Sequence, residues 1–299
     1  MSHHNKRHAS TVRIGKLSAE RVGLKSRYWG DLYHFLLTTS WFSLLVWVVA
    51  LYVLFNIGFA LLYWLEPGSV EGVHSISFMD LFFFSVQTMA TIGYGKLIPM
   101  TTFSNILVTI EALLGLLGFA LVTGLMFAKF SRPTARVLFS RVGVVSPRDG
   151  IPSLMIRMAN ERSNQIVEAQ VHIVLVCVET TLEGEQVRKF YELELSRHRN
   201  IMFTLTWTAI HPIDSTSPLF GETAESLAKK NATIIVSLVG IDETFAQTVH
   251  ARHYYAAHEI LWNHRFVDIL SKIEDRRIRV DYHRFHDTQP LPSIEQQAV

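Results

Sequence analysis

A run of 25 residues without a charge, Trp41 to Leu65, constrains this chain more than any other feature of its sequence. As a helix rising about 1.5 Å per residue it reaches about 37 Å, enough to cross a hydrocarbon layer about 30 Å thick. Trp41 and Trp47 lie near one end, Tyr63 and Trp64 near the other, which is the placement of aromatic belts at membrane surfaces. A second run, Thr101 to Ala128, has 28 residues and one charge, Glu111. It is rich in small residues (Ala112, Gly115, Gly118, Ala120, Gly124) that let helices pack closely or bend. Two transmembrane helices are therefore expected, at 41–65 and 101–128.

The segment between them starts with Glu66 to Ser77, which holds Pro67, Gly68 and Gly72 and reads as a loop. Phe78 to Ala90 is apolar but too short to span, and a glycine-rich turn and Pro99 follow. A half-length apolar segment ending in irregular backbone is a re-entrant element, so a pore helix is expected over 78–90. The turn itself is Thr91-Ile92-Gly93-Tyr94-Gly95. A dehydrated cation in a membrane needs oxygen ligands, and backbone carbonyls supply them when they all point towards one axis. Gly93 and Gly95 remove the steric cost of that backbone. The Thr91 hydroxyl would add an innermost ring. One chain holds one such loop, so closed rings of carbonyls require a homotetramer.

Charge sets the expected topology. The loop between the spans carries Glu66, Glu71 and Asp80 against one base, Lys96, whose charge at the outer mouth would repel cations unless Glu71 or Asp80 pairs with it. Residues 1–27 hold Lys6, Arg7, Arg13, Lys16, Arg21, Lys25 and Arg27 against Glu20, and Lys129, Arg132, Arg136 and Arg141 follow the second span. Bases collect on the cytoplasmic side, so both termini are expected there, with 1–27 a mobile tail. The N-terminus lacks an apolar stretch and is not a secretory signal. In Tyr28 to Ser40, Trp29, Leu32, Tyr33, Leu36 and Leu37 share a helical face, which fits an interfacial helix or an extension of the next span.

The character changes from Val137 onward. Val167 to Val178, Met202 to Ile210 and Thr233 to Val239 are β-rich runs, separated by turn signals such as Arg148-Asp149-Gly150 and Glu183-Gly184-Glu185. Only Ser217 to Lys230 looks helical. A mainly antiparallel, immunoglobulin-like β-sandwich is expected over 137–285, a pore domain over 28–136 and a tail over 286–299.

Other classes find no footing. A net charge of +2 gives no pointer to nucleic acid, and the single cysteine, Cys177, allows no intrachain disulfide. His250, His253, His258 and His264 lack the spacing and the cysteines of a zinc motif. No nucleophile-elbow or phosphate-loop pattern occurs, so no enzyme and no cofactor are expected, and K⁺ held by filter backbone is the only bound metal.

Thr91 to Gly95 resembles the potassium-channel signature, with Ile92 in place of the commoner valine. Further stretches resemble the inward rectifier potassium channels, most of all their prokaryotic (KirBac-type) branch. These are Asp31-Leu32-Tyr33-His34, Ala128 to Pro133, Arg148-Asp149-Gly150, Val167-Glu168-Ala169, His211 to Asp214 with Ser217-Pro218-Leu219, and His258 to Trp262 with His264-Arg265-Phe266. The resemblance covers about Asp31 to Phe285 and implies a slide helix, a tetrameric vestibule extending the pore, and the cell (inner) membrane of a prokaryote. The extracellular disulfide of eukaryotic members has no cysteines here, which also fits a prokaryotic source.

The resemblance carries site roles with it. Phe127 falls at the family's inner-helix gate, Phe119 is a second constriction roughly two turns earlier, and Gly124 is a hinge or a packing site. Gly240, Ala246 and Gln247 belong to the narrow loop at the top of the vestibule, unless Gly240 to Thr248 is an ordinary hairpin. Lys129, Arg132 and Arg136 are the candidate anionic-lipid contacts, although such bases also set topology. Glu111 is expected to have a structural role behind the filter. Strong rectifiers place an acid where this chain has Phe119; Glu168 is kept as a vestibule acid, and Val239 stands where another acid is common. Block by polyamine or Mg²⁺ is therefore expected to be weak, although the resemblance brings the broad class of voltage-gated channels with it. A non-conducting receptor or structural assembly is the rival reading, and the retained filter glycines, Gly93 and Gly95, speak against it.

Overall fold

The structure is a computed structural model and describes residues 10–14, 17–21, 32–72, 77–131, 135–274 and 277–292. The chain divides into two compact units, one over 25–132 and one combining 1–24 with 133–299. The basic segment expected to be a mobile tail carries an antiparallel hairpin, β1 (Ser10–Ile14) on β2 (Leu17–Arg21).

The apolar unit contains α1 (Leu32–Thr38), α2 (Trp41–Trp64), β3 (Val70–Glu71), α3 (Phe78–Met89), β4 (Ile98–Pro99) and α4 (Thr102–Phe130). Residues 28–31 of the expected slide helix lie outside the described residues. α1 is a separate helix and not an extension of α2. The chain breaks at Thr39–Ser40, and the Ser40 hydroxyl caps α2 by accepting from the Ser43 N–H at 3.1 Å. Capping boxes start the other two helices: Ser77 with Asp80 for α3, and Thr101 with Ser104 for α4. The loop between α2 and α3 is braced by β3 pairing with β4, Val70 opposite Pro99 and Glu71 opposite Ile98.

α2 and α4, 24 and 29 residues long, are long and apolar enough to cross a membrane. Their bare surfaces are apolar, with Phe42, Leu54 and Leu62 exposed on α2 and Leu113, Leu116 and Leu121 on α4. Water does not tolerate so much contiguous apolar area.

The β unit runs from β5 (Val137–Phe139), β6 (Gly143–Arg148), β7 (Ile151–Asn160), β8 (Ile166–Thr180) and β9 (Gln186–Leu193) to β10 (Arg199–Phe203) and β11 (Thr206–Pro212). After α5 (Ala224–Lys229) come β12 (Thr233–Asp242), β13 (Gln247–Ala256), β14 (Ile260–Trp262), β15 (His264–Phe266), β16 (Leu270–Glu274), β17 (Arg277–Val280) and β18 (Thr288–Pro290). One sheet is ordered β10-β8-β12-β13 with β9 also on β8; the other is β11-β7-β6-β14 with β5 also on β7. Their facing residues, among them Leu154, Ile156 and Met158 of β7 and Ile173, Val236 and Leu238 opposite, form one sandwich core. Alternate positions of β12 are buried, the period of a strand with one face in the core.

Two boundaries differ from expectation. The helix expected over Ser217 to Lys230 is confined to Ala224–Lys229, because Gly221 at φ 74° ends the turn that precedes it. The segment expected to be a tail after 285 holds β18, paired with β15. This C-terminal layer covers the second face of β7, where Ala159 packs against Ile269 and Phe285. Arg157 anchors it by donating to Val267 O at 2.8 Å and Phe285 O at 3.3 Å, with its guanidinium 4.5 Å from the Phe266 ring. Elsewhere in the unit His211 is buried, with Nδ1 on Glu194 O at 2.6 Å and Nε2 on the Ser217 hydroxyl at 2.7 Å, and it pins the turn after β11.

Candidate functional site

The segment Thr91 to Gly95 leaves the C-terminal end of α3, whose last turn anchors it. The N–H groups of Thr91 and Ile92 donate to Thr88 O at 3.0 Å and Gln87 O at 2.8 Å. Thr91, Gly93 and Gly95 have φ of 57°, 57° and 75°, while Ile92 and Tyr94 between them do not share that left-handed region. Alternation of this kind turns successive carbonyls to one side, as a stack of cation ligands requires. The sequence marked the two glycines. It marked Thr91 for its hydroxyl but not for its backbone, which is held in a conformation that L side chains resist. All five residues are exposed in the single chain, Tyr94 by 77%.

A polar chain buried between the three helices stands behind this segment. The Tyr63 hydroxyl of α2 donates to Glu111 Oε2 of α4 at 2.7 Å. Ser85 of α3 bonds Glu111 Oε1 and lies 2.9 Å from Asn56 Oδ1, and Asn56 Nδ2 donates to Tyr52 O at 2.7 Å. Asn56, Ser85 and Glu111 are all fully buried. In an apolar layer such groups persist only with partners, so the chain fixes α2, α3 and α4 against one another. Glu111 therefore joins α4 to both α2 and α3, while Asn56 went unnoticed because one neutral amide barely alters the hydropathy of its span. Gly115 lets α4 lie close against the end of α3: a Cβ there would lie 2.3 Å from Met89 O. At the outer mouth Lys96 is exposed, and the Asp80 carboxylate is taken up by the N–H and hydroxyl of Ser77.

Towards the other end of α4, Phe119 and Phe127 project from the chain, 76% and 73% exposed. Nothing lies within 4 Å of a Cβ built on Gly124, so packing within this chain does not account for that glycine. Lys129 departs from its expected place. Its ammonium donates to Leu37 O at 3.2 Å and Thr39 O at 2.5 Å and sits 5.3 Å from the Trp41 ring, so it is turned to backbone carbonyls that end α1. Arg132 lies outside the described residues, and Arg136 is exposed. α2 contains no charged residue and α4 only Glu111 and Lys129. A membrane potential has no ladder of bases to move there, so the voltage-gated class finds no support.

In the β unit Glu168 has φ 52°, and its carboxylate is gripped by Arg199, whose Nε donates at 2.8 Å. It was expected as a vestibule acid; in this chain its charge is locally matched. Gly240 was expected to face a pore, but it is buried within the sheet at an irregularity between β12 and β8. A Cβ there would meet Ile166 Cγ2 at 2.4 Å, which explains the glycine by packing. Ala246 and Gln247 are exposed at the tip of the β12–β13 hairpin, which Asp242 closes by accepting from the Thr244 N–H at 2.9 Å. Among the described residues no three His, Cys, Asp or Glu side chains gather as metal ligands.

Comparison with known proteins places these features. The inward rectifier potassium channel C-terminal domain family matches residues 137–299, and the ion channel family matches residues 42–132. The chain is 48% identical over 274 residues to the inward rectifier potassium channel Kirbac3.1 of Paramagnetospirillum magnetotacticum, covering 91% of this chain and 93% of that protein. It is 33% identical to the G protein-activated inward rectifier potassium channel 3 of Mus musculus, over 89% of this chain and 73% of that one. Identity to the ATP-sensitive inward rectifier potassium channel 12 of Bos taurus is also 33%, over 89% and 67% of the two chains. These relatives are ion channels and not enzymes. With the alternating backbone at Thr91 to Gly95 and two apolar helices around it, this chain belongs to the inward rectifier potassium channel family, as a prokaryotic-type member.

Proposed function

We propose that four copies of this chain surround a common axis and conduct K⁺ passively across a prokaryotic cell membrane, with both termini in the cytoplasm. The alternating backbone of Thr91 to Gly95 carries this reading, because it turns carbonyls one way on a root braced by Glu111, Ser85 and Tyr63. The tetramer is supported by α4, which buries only Ser104, Leu107 and Glu111 in its own chain. The rest of its apolar surface needs lipid or further copies. Phe119 and Phe127 would narrow the cytoplasmic half of such a pore and close it by dewetting, with Gly124 as the hinge and Ala246 and Gln247 as a further constriction. Rectification by polyamine or Mg²⁺ is weak in this reading, because Phe119 is apolar and Glu168 is paired with Arg199. Anionic phospholipids would act through Arg132 and Arg136, at about 1 kcal/mol for each base near the surface.

Ion flux into vesicles holding the reconstituted protein tests the proposal. Rb⁺ uptake far above Na⁺ uptake, blocked by Ba²⁺, is expected. Gly93→Ala should abolish it, because φ 57° strains any side chain there. Equal Rb⁺ and Na⁺ uptake would refute the filter.

A further inference from the structure

Lys96 directly follows Gly95, the last residue of the filter segment, and carries the one positive charge between the two spans. Its side chain is exposed, and among the described residues it forms no ion pair. The acids of the same segment are engaged or placed elsewhere. Asp80 accepts from the N–H of Ser77 at 2.9 Å and from its hydroxyl at 2.7 Å. Glu66 accepts from the Thr101 hydroxyl at 3.0 Å. Glu71 lies on β3 opposite Ile98 of β4, and among the described residues it pairs with no base. The backbone at Lys96 is held from both sides. Gly95 has φ 75°, and Leu97 packs on the apolar cluster of Val70 and Phe84 and closes over Gly72, where a Cβ would lie 2.5 Å from Leu97 Cδ2. The Lys96 ammonium is therefore tethered to the rim of the filter segment on an anchored backbone.

We infer that Lys96 determines which external ions reach the filter: four copies around the axis raise a positive potential at the outer mouth that thins K⁺ there and excludes divalent cations far more strongly. The inference rests on the reading of Thr91 to Gly95 as the filter of a tetramer. The concentration of an ion at the mouth varies exponentially with its charge times the local potential, and fields of this kind change local ion concentrations by about tenfold and more. A potential that thins K⁺ roughly threefold thins a divalent ion roughly ninefold, the square of that factor. Ba²⁺ matches K⁺ in size at twice the charge, so rings of carbonyls hold it longer. The barrier keeps such ions from the filter with a smaller loss of K⁺ entry. Because the ammoniums face water, the barrier weakens as salt is added.

The test records single channels of the full-length protein in planar phosphatidylcholine bilayers, whose headgroups add no net charge. K⁺ is held constant, and ionic strength is set to about 0.01 M or about 1 M with an impermeant organic cation, so that charges are felt over about 30 Å or about 3 Å. Ba²⁺ is added to one chamber at a time. At low salt Lys96→Gln is expected to raise K⁺ entry from one chamber roughly threefold and the rate of Ba²⁺ block from that chamber roughly ninefold. The duration of each block and the preference for K⁺ over Na⁺ should not change, and both gains should vanish at high salt. Lys96→Arg keeps the charge and is expected to behave as wild type. If Lys96→Gln does not assemble, the wild type carries the test: added salt must speed its Ba²⁺ block from one chamber and not from the other. Gains that persist at high salt, or longer blocks, would mean that Lys96 shapes the filter by contact and would overturn the barrier. So would Ba²⁺ block unchanged from both chambers. A wild type that passes Na⁺ as readily as K⁺ refutes the filter reading itself, and the barrier falls with it.

Discussion

Replacing Gly115 by alanine places a methyl carbon where the structure leaves 2.3 Å to the carbonyl oxygen of Met89 and 3.0 Å to its Cγ. The side-chain carbon can swing away, but the carbonyl belongs to the last turn of α3 and cannot. Ordinary contact begins at 3.4 Å, so α3 and α4 must part by about 1 Å, the difference between 3.4 and 2.3. Alanine is the better helix former by about 1 kcal/mol, which favours the variant. Overpacking a close interface costs about 1–3 kcal/mol and wins. Met89 lies two residues before Thr91, so the displacement reaches the filter root directly. K⁺ over Na⁺ permeability and the thermal dissociation of the tetramer should both fall in Gly115→Ala. Gly58→Ala on α2 meets nothing within 4 Å and serves as the control, with neither quantity lowered. Wild-type selectivity and thermal stability in Gly115→Ala would refute a rigid contact between α3 and α4.

Two further outcomes follow from the same structure. Phe119→Asp is expected to strengthen block by cytoplasmic polyamine, because carboxylates facing a low-dielectric cavity attract a polycation strongly; wild type blocking as steeply in current–voltage recordings would contradict it. Burial holds the pKa of His211 below its ordinary value, so its contribution to stability is present above about pH 6.5 and fades as pH falls towards the lowered folded value; melting of the β signal on acidification should be less steep in His211→Gln.

The spans were legible because length and hydropathy decide them together: 41–65 and 101–128 were expected, and Trp41–Trp64 and Thr102–Phe130 are found. The filter glycines were legible for a similar reason, since few residues tolerate their backbone. The partners of the site were not. Tyr63 meets Glu111 across 48 positions, and Lys129 meets Thr39 across 90, separations at which pattern along the chain says nothing about pairing. Glu168 was read through the resemblance as a vestibule acid, whereas Arg199, which matches it, stands 31 positions on across a strand pair. Gly240 was assigned to a pore lining because the resemblance puts the family's narrow vestibule loop at Gly240 to Thr248, yet the strand beside it needs the room. The β3–β4 brace escaped notice because each strand has only two residues, too few for any alternation to show.

The parallel pairing of β14 with β6 sets a schedule for the chain as it leaves the ribosome. Ile260 lies beside Gly143 and Trp262 beside Val145, partners separated by 117 positions. α2 and α4 can enter the bilayer while most of the β unit is still unmade. The sheet edge at β6 then stays open until Trp262 has emerged, and such exposed edges invite pairing between neighbouring chains. Nascent copies held side by side at one membrane meet that hazard at high local concentration, so the order of synthesis makes the late strand β14 the protection for the early strand β6.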